Sequence, residues 1–192
     1  MMKKQTIGWL LLWVGTFLVT CTTTTTPTDQ MKTDQQQDAP APKTAAAVLT
    51  PPLPITDYDG MEHLFHQKND SVYIINFWAT WCKPCVAELP YFEQLGAAYR
   101  DKKVKILLIS LDFPKQIEKK LIPFIEKNNL QSEVWVLDDP DANTWIDKVS
   151  PQWSGSIPAT LVYNRDAREF REQSFETYDE LNAIVEPFLK KL

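Results

Sequence analysis

Residues 71–85 read SVYIINFWATWCKPC, and this stretch decides the architecture. Ser71 to Trp78 is an almost unbroken apolar run, rich in β-branched and aromatic residues, which predicts a buried strand. From Cys82 to Arg100, Val86, Leu89, Phe92, Leu95 and Tyr99 recur at helical spacing. The pair in Trp81-Cys82-Lys83-Pro84-Cys85 therefore falls where a strand gives way to a helix. A cysteine at a helix N-terminus meets free backbone N–H groups and the positive end of the helix dipole. Both stabilise a thiolate, the form of sulfur that attacks a disulfide. Cys85 lies one turn inside the helix, less exposed and close enough to resolve a mixed disulfide. Pro84 suits the first turn, where its missing N–H costs little.

Outward from this junction, strands and helices alternate. Met61 to Phe65 predicts a short amphipathic helix after Asp57 or Asp59. Val104 to Asp112 is a second apolar strand, Pro114 to Asn129 a helix kinked at Pro123, and Glu133 to Leu137 a third strand. Asp139-Pro140 reads as N-cap and first position of a helix leading to Trp145, Ile146 and Val149. Ala159 to Tyr163 and Arg168 to Gln173 read as strands around an Asn164-Arg165-Asp166 turn. Thr177 to Leu189 reads as a closing amphipathic helix that Pro187 bends or ends early. The pattern implies an α/β layered sheet, and the continuous apolar strands imply burial on both faces.

Asn76 to Cys85 (NFWATWCKPC) resembles the active-site segment of the thioredoxin superfamily, in particular the membrane-tethered TlpA/ResA-type thiol–disulfide oxidoreductases of bacteria. Pro90 matches the proline that kinks the active-site helix, and Glu88 an acid this branch carries near the site. Ile157-Pro158-Ala159-Thr160 matches the cis-proline loop that stands opposite the cysteines. The resemblance spans roughly Pro54 to Leu192. It implies a thioredoxin-like α/β fold, a central mixed sheet flanked by helices, with the helix and strand between Pro114 and Leu137 as the βα insertion of this branch. It implies that Cys82 attacks and Cys85 resolves, and that Trp81, Ile157 and Pro158 contact substrate. Trp78 is then core. No metal and no cofactor is implied beyond a redox-active Cys82–Cys85 disulfide. The implied activity is reduction of disulfides in exported proteins, apocytochrome c among the candidates, by a monomer fed from a membrane thiol–disulfide electron donor.

Two positions depart from ordinary thioredoxin. Asn76 stands where that protein has a buried aspartate, and an amide cannot shuttle a proton; it reads as a hydrogen-bonded buried amide. By resemblance Glu88 then serves Cys85 as acid or base; the alternative is an acid on the helix surface. Lys83, between the cysteines, is a cation that favours the Cys82 thiolate, or else a solvated residue of no consequence.

The N-terminus reads as an address. Lys3 and Lys4 precede Ile7 to Val19, an apolar run spanning about 20 Å as a helix, too short for a hydrocarbon core of about 30 Å. A secretory signal peptide over 1–20 follows. Leu18-Val19-Thr20-Cys21 resembles the lipobox of bacterial lipoproteins, with Thr20 where Gly, Ala or Ser is usual. That resemblance implies lipid on Cys21, holding the protein at the periplasmic face of a membrane. Residues 21–52, rich in Thr, Gln and Pro, read as a disordered tether that reaches roughly 30 Å as a flexible coil. The domain occupies 53–192.

Composition excludes other classes. The 192 residues fit one domain with tails, and a net charge of −5 speaks against a nucleic-acid module. The five glycines form no phosphate-binding loop, and three cysteines are too few for a disulfide-stapled mini-protein. Three rivals are a Cys2His2 zinc module using His63 and His66, a non-catalytic thioredoxin-like scaffold, and a peroxidase of the peroxiredoxin type. The peroxidase pattern P-x-x-x-T-x-x-C is absent, because Thr80 stands two residues before Cys82 instead of three.

Overall fold

A computed structural model describes residues 53–190. The expected signal peptide, Cys21 and the tether lie outside the described residues. A six-stranded mixed sheet runs in the order β1 (Ile55–Thr56), β4 (Glu133–Leu137), β3 (Val104–Ser110), β2 (Val72–Trp78), β5 (Ala159–Tyr163), β6 (Arg168–Arg171). Strands β1 to β4 pair in parallel, while β5 and β6 run antiparallel. Helices α1 (Tyr58–Met61), α2 (Lys83–Ala98), α3 (Ile122–Asn128), α4 (Ile146–Val149) and α5 (Tyr178–Leu189) connect them. The inserted β4 lies between β1 and β3. Among the described residues no helix is long and apolar enough to cross a membrane.

Every residue of the central strand β2 is buried, as its composition requires of a strand covered on both faces. Alternation splits it. Val72, Ile74 and Trp78 join a core with Leu89 and Phe92 of α2 and Leu181, Val185 and Phe188 of α5. Tyr73, Ile75 and Phe77 join a second core with Tyr58, Phe65, Trp145 and Trp153. The second is rich in aromatic rings: Phe77 lies 4.5 Å from Trp153 and 6.0 Å from Phe65, centroid to centroid.

Three local expectations need correction. Pro114 to Asn129 is not one kinked helix. It divides into a 3-10 turn (Pro114–Gln116), a π turn (Ile117–Leu121) and α3. Pro123 has no N–H to donate, and the widened turn just before it closes on an Ile122 N–H bond to Ile117 O. Asp139 is no helix cap. Its carboxylate accepts from Tyr58 N (3.3 Å) and Asp141 N (3.1 Å), tying this loop to α1, and helical structure starts at Ala142. Pro187 neither shortens nor ends α5, which continues to Leu189; the proline sits in the last turn, and Lys190 N still bonds Glu186 O.

Candidate functional site

The ends of β2, α2 and the segment before β5 meet at the two cysteines. Cys82 is the N-cap of α2, with extended backbone (φ −87°, ψ 101°), and its Sγ accepts from Cys85 N at 3.3 Å. This is the helix-terminus placement that stabilises a sulfur anion. Cys82 and Cys85 are joined as a disulfide, Cα atoms 5.3 Å apart. Cys82 is 7% exposed and Cys85 is 0% exposed, so an incoming sulfur meets Cys82 first. Pro84 falls in the first turn, and Lys83 and Pro84 are both exposed.

Across from them, the Ile157–Pro158 peptide is cis, as the resemblance implied. The Ile157 carbonyl oxygen lies 3.8 Å from Cys82 Sγ, within reach of a thiol S–H in the reduced form. The loop before it is held by Glu172, whose carboxylate accepts from Ser154 N (3.0 Å) and Ser156 N (2.9 Å) and from Ser154 Oγ.

Glu88 corrects the surface alternative. It is fully buried, on the same α2 face as Cys85 three residues earlier. Its Oε1 accepts from Asn76 Nδ2 (2.8 Å) and its Oε2 from Phe175 N (2.8 Å). Burial pushes its pKa up to about 7; the Phe175 N–H and the Asn76 amide pull the other way without cancelling it. Asn76 also donates to Thr160 Oγ1 (3.1 Å), its partner across the β2–β5 ladder, while Asn76 Oδ1 is buried without a partner. The amide reading of Asn76 holds.

Trp78 is fully buried and Trp81 is 51% exposed, dividing core from surface as expected. His63 and His66 are exposed, with His63 edge-on to Trp135. Among the described residues no group of three or more His, Cys, Asp or Glu side chains is placed to hold a metal.

Several neighbours escaped the sequence reading. Phe175 contributes a backbone N–H, which no side-chain pattern signals. Thr160 was seen only within the proline loop. Asp112, buried at the end of β3, accepts from Thr80 N (2.9 Å), Thr80 Oγ1 (2.5 Å) and Ser110 Oγ (2.9 Å). Phe113, exposed, stacks on Trp81. A polar Asp closing an apolar strand before Phe-Pro was the one available hint.

Comparison with known proteins agrees with this arrangement. The AhpC/TSA family model matches residues 40–168. The chain is 40% identical over 127 residues to the thiol-disulfide oxidoreductase ResA of Geobacillus kaustophilus, covering 65% of this chain and 67% of that one. It is 36% identical over 142 residues to ResA of Bacillus thuringiensis strain Al Hakam, covering 74% and 75%. A secreted thiol-disulfide isomerase from Corynebacterium glutamicum superposes with a TM-score of 0.53 at 20% identity, over 64% of this chain and 72% of that one. A thiol:disulfide interchange protein of the thioredoxin family from Chlorobium tepidum superposes with a TM-score of 0.52 at 19% identity, over 67% and 84%. These two likenesses establish a shared thioredoxin-like fold.

Proposed function

The chain belongs to the AhpC/TSA family and is a thiol–disulfide oxidoreductase of the ResA type, and we propose that it reduces disulfides of exported proteins by dithiol exchange at Cys82 and Cys85. The observation that carries this reading is Cys82 itself: an N-cap sulfur bonded to a buried Cys85, with the Ile157 carbonyl alongside.

In the reduced protein the Cys82 thiolate attacks one sulfur of the substrate disulfide. That S–S bond breaks, a Cys82–substrate bond forms, and the departing substrate sulfur takes a proton. Cys85 then gives its proton to Glu88, and its thiolate attacks Cys82 Sγ. The second substrate sulfur leaves and is protonated. Two electrons have passed to the substrate, and the protein holds the Cys82–Cys85 disulfide. A carboxylate with a pKa of about 7 suits the second step, because near neutral pH it can both accept and return a proton. Lys83 favours the Cys82 thiolate, Pro84 shapes the first turn, and Trp81, Ile157 and Pro158 line the approach.

A membrane thiol–disulfide transporter restores the dithiol, and lipid on Cys21 keeps a monomeric domain at the periplasmic face within reach of it. Apocytochrome c, with the cysteines of its Cys-x-x-Cys-His motif joined as a disulfide, is one candidate substrate. The test is reduction of insulin and of a model disulfide by the dithiothreitol-reduced chain, with the dithiol potential measured against glutathione. Wild type exchanges at a potential more reducing than glutathione, Cys82→Ser is inert, and Cys85→Ser stops at the mixed disulfide. Full activity in Cys82→Ser overturns the assignment, and a wild type that exchanges with nothing supports the scaffold reading.

A further inference from the structure

Among the described residues only Ile55, Trp81 and Phe113 are large hydrophobics left exposed, and two of the three touch. Trp81 and Phe113 are 51% and 60% exposed, with ring centroids 6.3 Å apart and planes 20° from parallel. Exposed aromatic surface that persists beside a reactive group marks a contact site more often than an isolated exposed residue does.

The pair is held by buried chemistry. Asp112 immediately precedes Phe113, and its carboxylate grips both the N–H and the hydroxyl of Thr80, which immediately precedes Trp81. The clasp joins the loop after β3 to the loop before Cys82. Pro114 further restricts Phe113 to extended backbone, observed at φ −61°, ψ 142°. The two rings thus stand side by side through bonds that serve neither ring directly.

The surrounding charge is distinctive. Lys83 follows Trp81 by two residues and Lys115 follows Phe113 by two. Both are exposed, and neither forms an ion pair among the described residues. Residues 115–120 (KQIEKK) carry three lysines against one glutamate, in a chain whose net charge is −5. Asp138, Asp139 and Asp141 follow β4, the neighbouring strand, at the same end of the sheet. Lys83 at the start of α2 and Lys115 in the 3-10 turn after Phe113 thus flank the aromatic pair along the chain, while the acids follow β4.

We propose that Phe113 and Lys115 determine substrate specificity: with Trp81 and Lys83 they receive a disulfide-bearing polypeptide that presents an apolar side chain next to its cysteine and carboxylates beside it. The apolar side chain lies against the aromatic pair, and the carboxylates meet the lysines. This rests on the disulfide-exchange reading above.

The test uses the full chain, reduced with dithiothreitol and freed of it, in single turnover. Three oxidants are compared: dithiodipyridine, a disulfide peptide with phenylalanine beside the cysteine and flanking aspartates, and a peptide of the same length with serine and flanking lysines. Wild type reacts with the acidic aromatic peptide about tenfold faster than with the basic one, the scale expected of one aromatic contact and rim charges. Phe113→Ala cuts that ratio to about threefold or less. Lys115→Glu, which leaves the aromatic pair in place, shifts the ratio toward the lysine-flanked peptide. Equal rates for the two peptides in wild type, or a ratio unchanged in both variants, overturns the proposal while exchange itself stands. Failure of all three oxidants overturns the exchange reading and this proposal together.

Discussion

Asn76 and Phe77 are neighbours on β2, both fully buried, and they face opposite chemistries. Phe77 looks into an aromatic core of Phe65, Trp145 and Trp153 that offers a reaction nothing to use. Asn76 looks toward α2, where its amide, Thr160, the Phe175 N–H and Glu88 form a buried polar network behind the cysteines. Burial costs a polar group free energy unless it is hydrogen-bonded, and a charged group more. The fold gathers these hydrogen-bonded polar groups on the α2-facing side of β2, beside the cysteines, while the side that holds Phe77 is packed by large apolar and aromatic side chains.

The sharpest way to break this contrast is Phe77→Ala. It should cost about 3–5 kcal/mol, the range for a buried aromatic truncated in a packed core. The dithiol potential should stay unchanged, because Phe77 faces away from the sulfurs. Denaturant unfolding and a glutathione titration on the same preparation check both halves. A shifted potential would erase the distinction between the faces.

Glu88→Gln should do the reverse. Glu88 has a folded pKa near 7 against an ordinary 4.5, so the folded protein binds the extra proton across that interval. Its stabilising contribution is full below about pH 4.5 and lost as pH rises through about 7, a difference of about 3 kcal/mol. The glutamine variant should lack this slope in unfolding free energy. It can still pair, because Asn76 Oδ1 has no partner and a flipped amide could accept from the new side chain. Cys85 reactivity should lose its dependence on a group titrating near 7. If both profiles match wild type, Glu88 takes no part in proton transfer.

Lys83→Glu is the smallest perturbation. Lys83 is exposed and solvent screens it. Replacing the cation should raise the Cys82 pKa by less than one unit and make the dithiol potential more negative by less than about 30 mV. A larger shift would mean that the rim, and not only the buried network, tunes the sulfurs.

Much of this was readable along the chain because it depends on near neighbours. The strand-to-helix junction, the N-cap sulfur, the second cysteine one turn later and the proline in the first turn all involve residues within a few positions of one another. The same local reasoning misplaced Asp139, whose carboxylate was committed to Tyr58 N from a distant part of the chain. It also merged three helical segments into one, since a wide turn that accommodates Pro123 leaves no mark in composition.

What the amino-acid order determined alone is the reactive motif and the burial of the central strand, because helix termini and apolar periodicity are set by local backbone geometry. The tertiary structure decided what surrounds the sulfurs. Only folding brings the Phe175 N–H to Glu88, an acid 87 positions earlier, and places Asp112 against Thr80, 32 positions away. An acid's proton affinity and a ring's exposure depend on what packs against them, and those neighbours arrive from elements far apart in the chain.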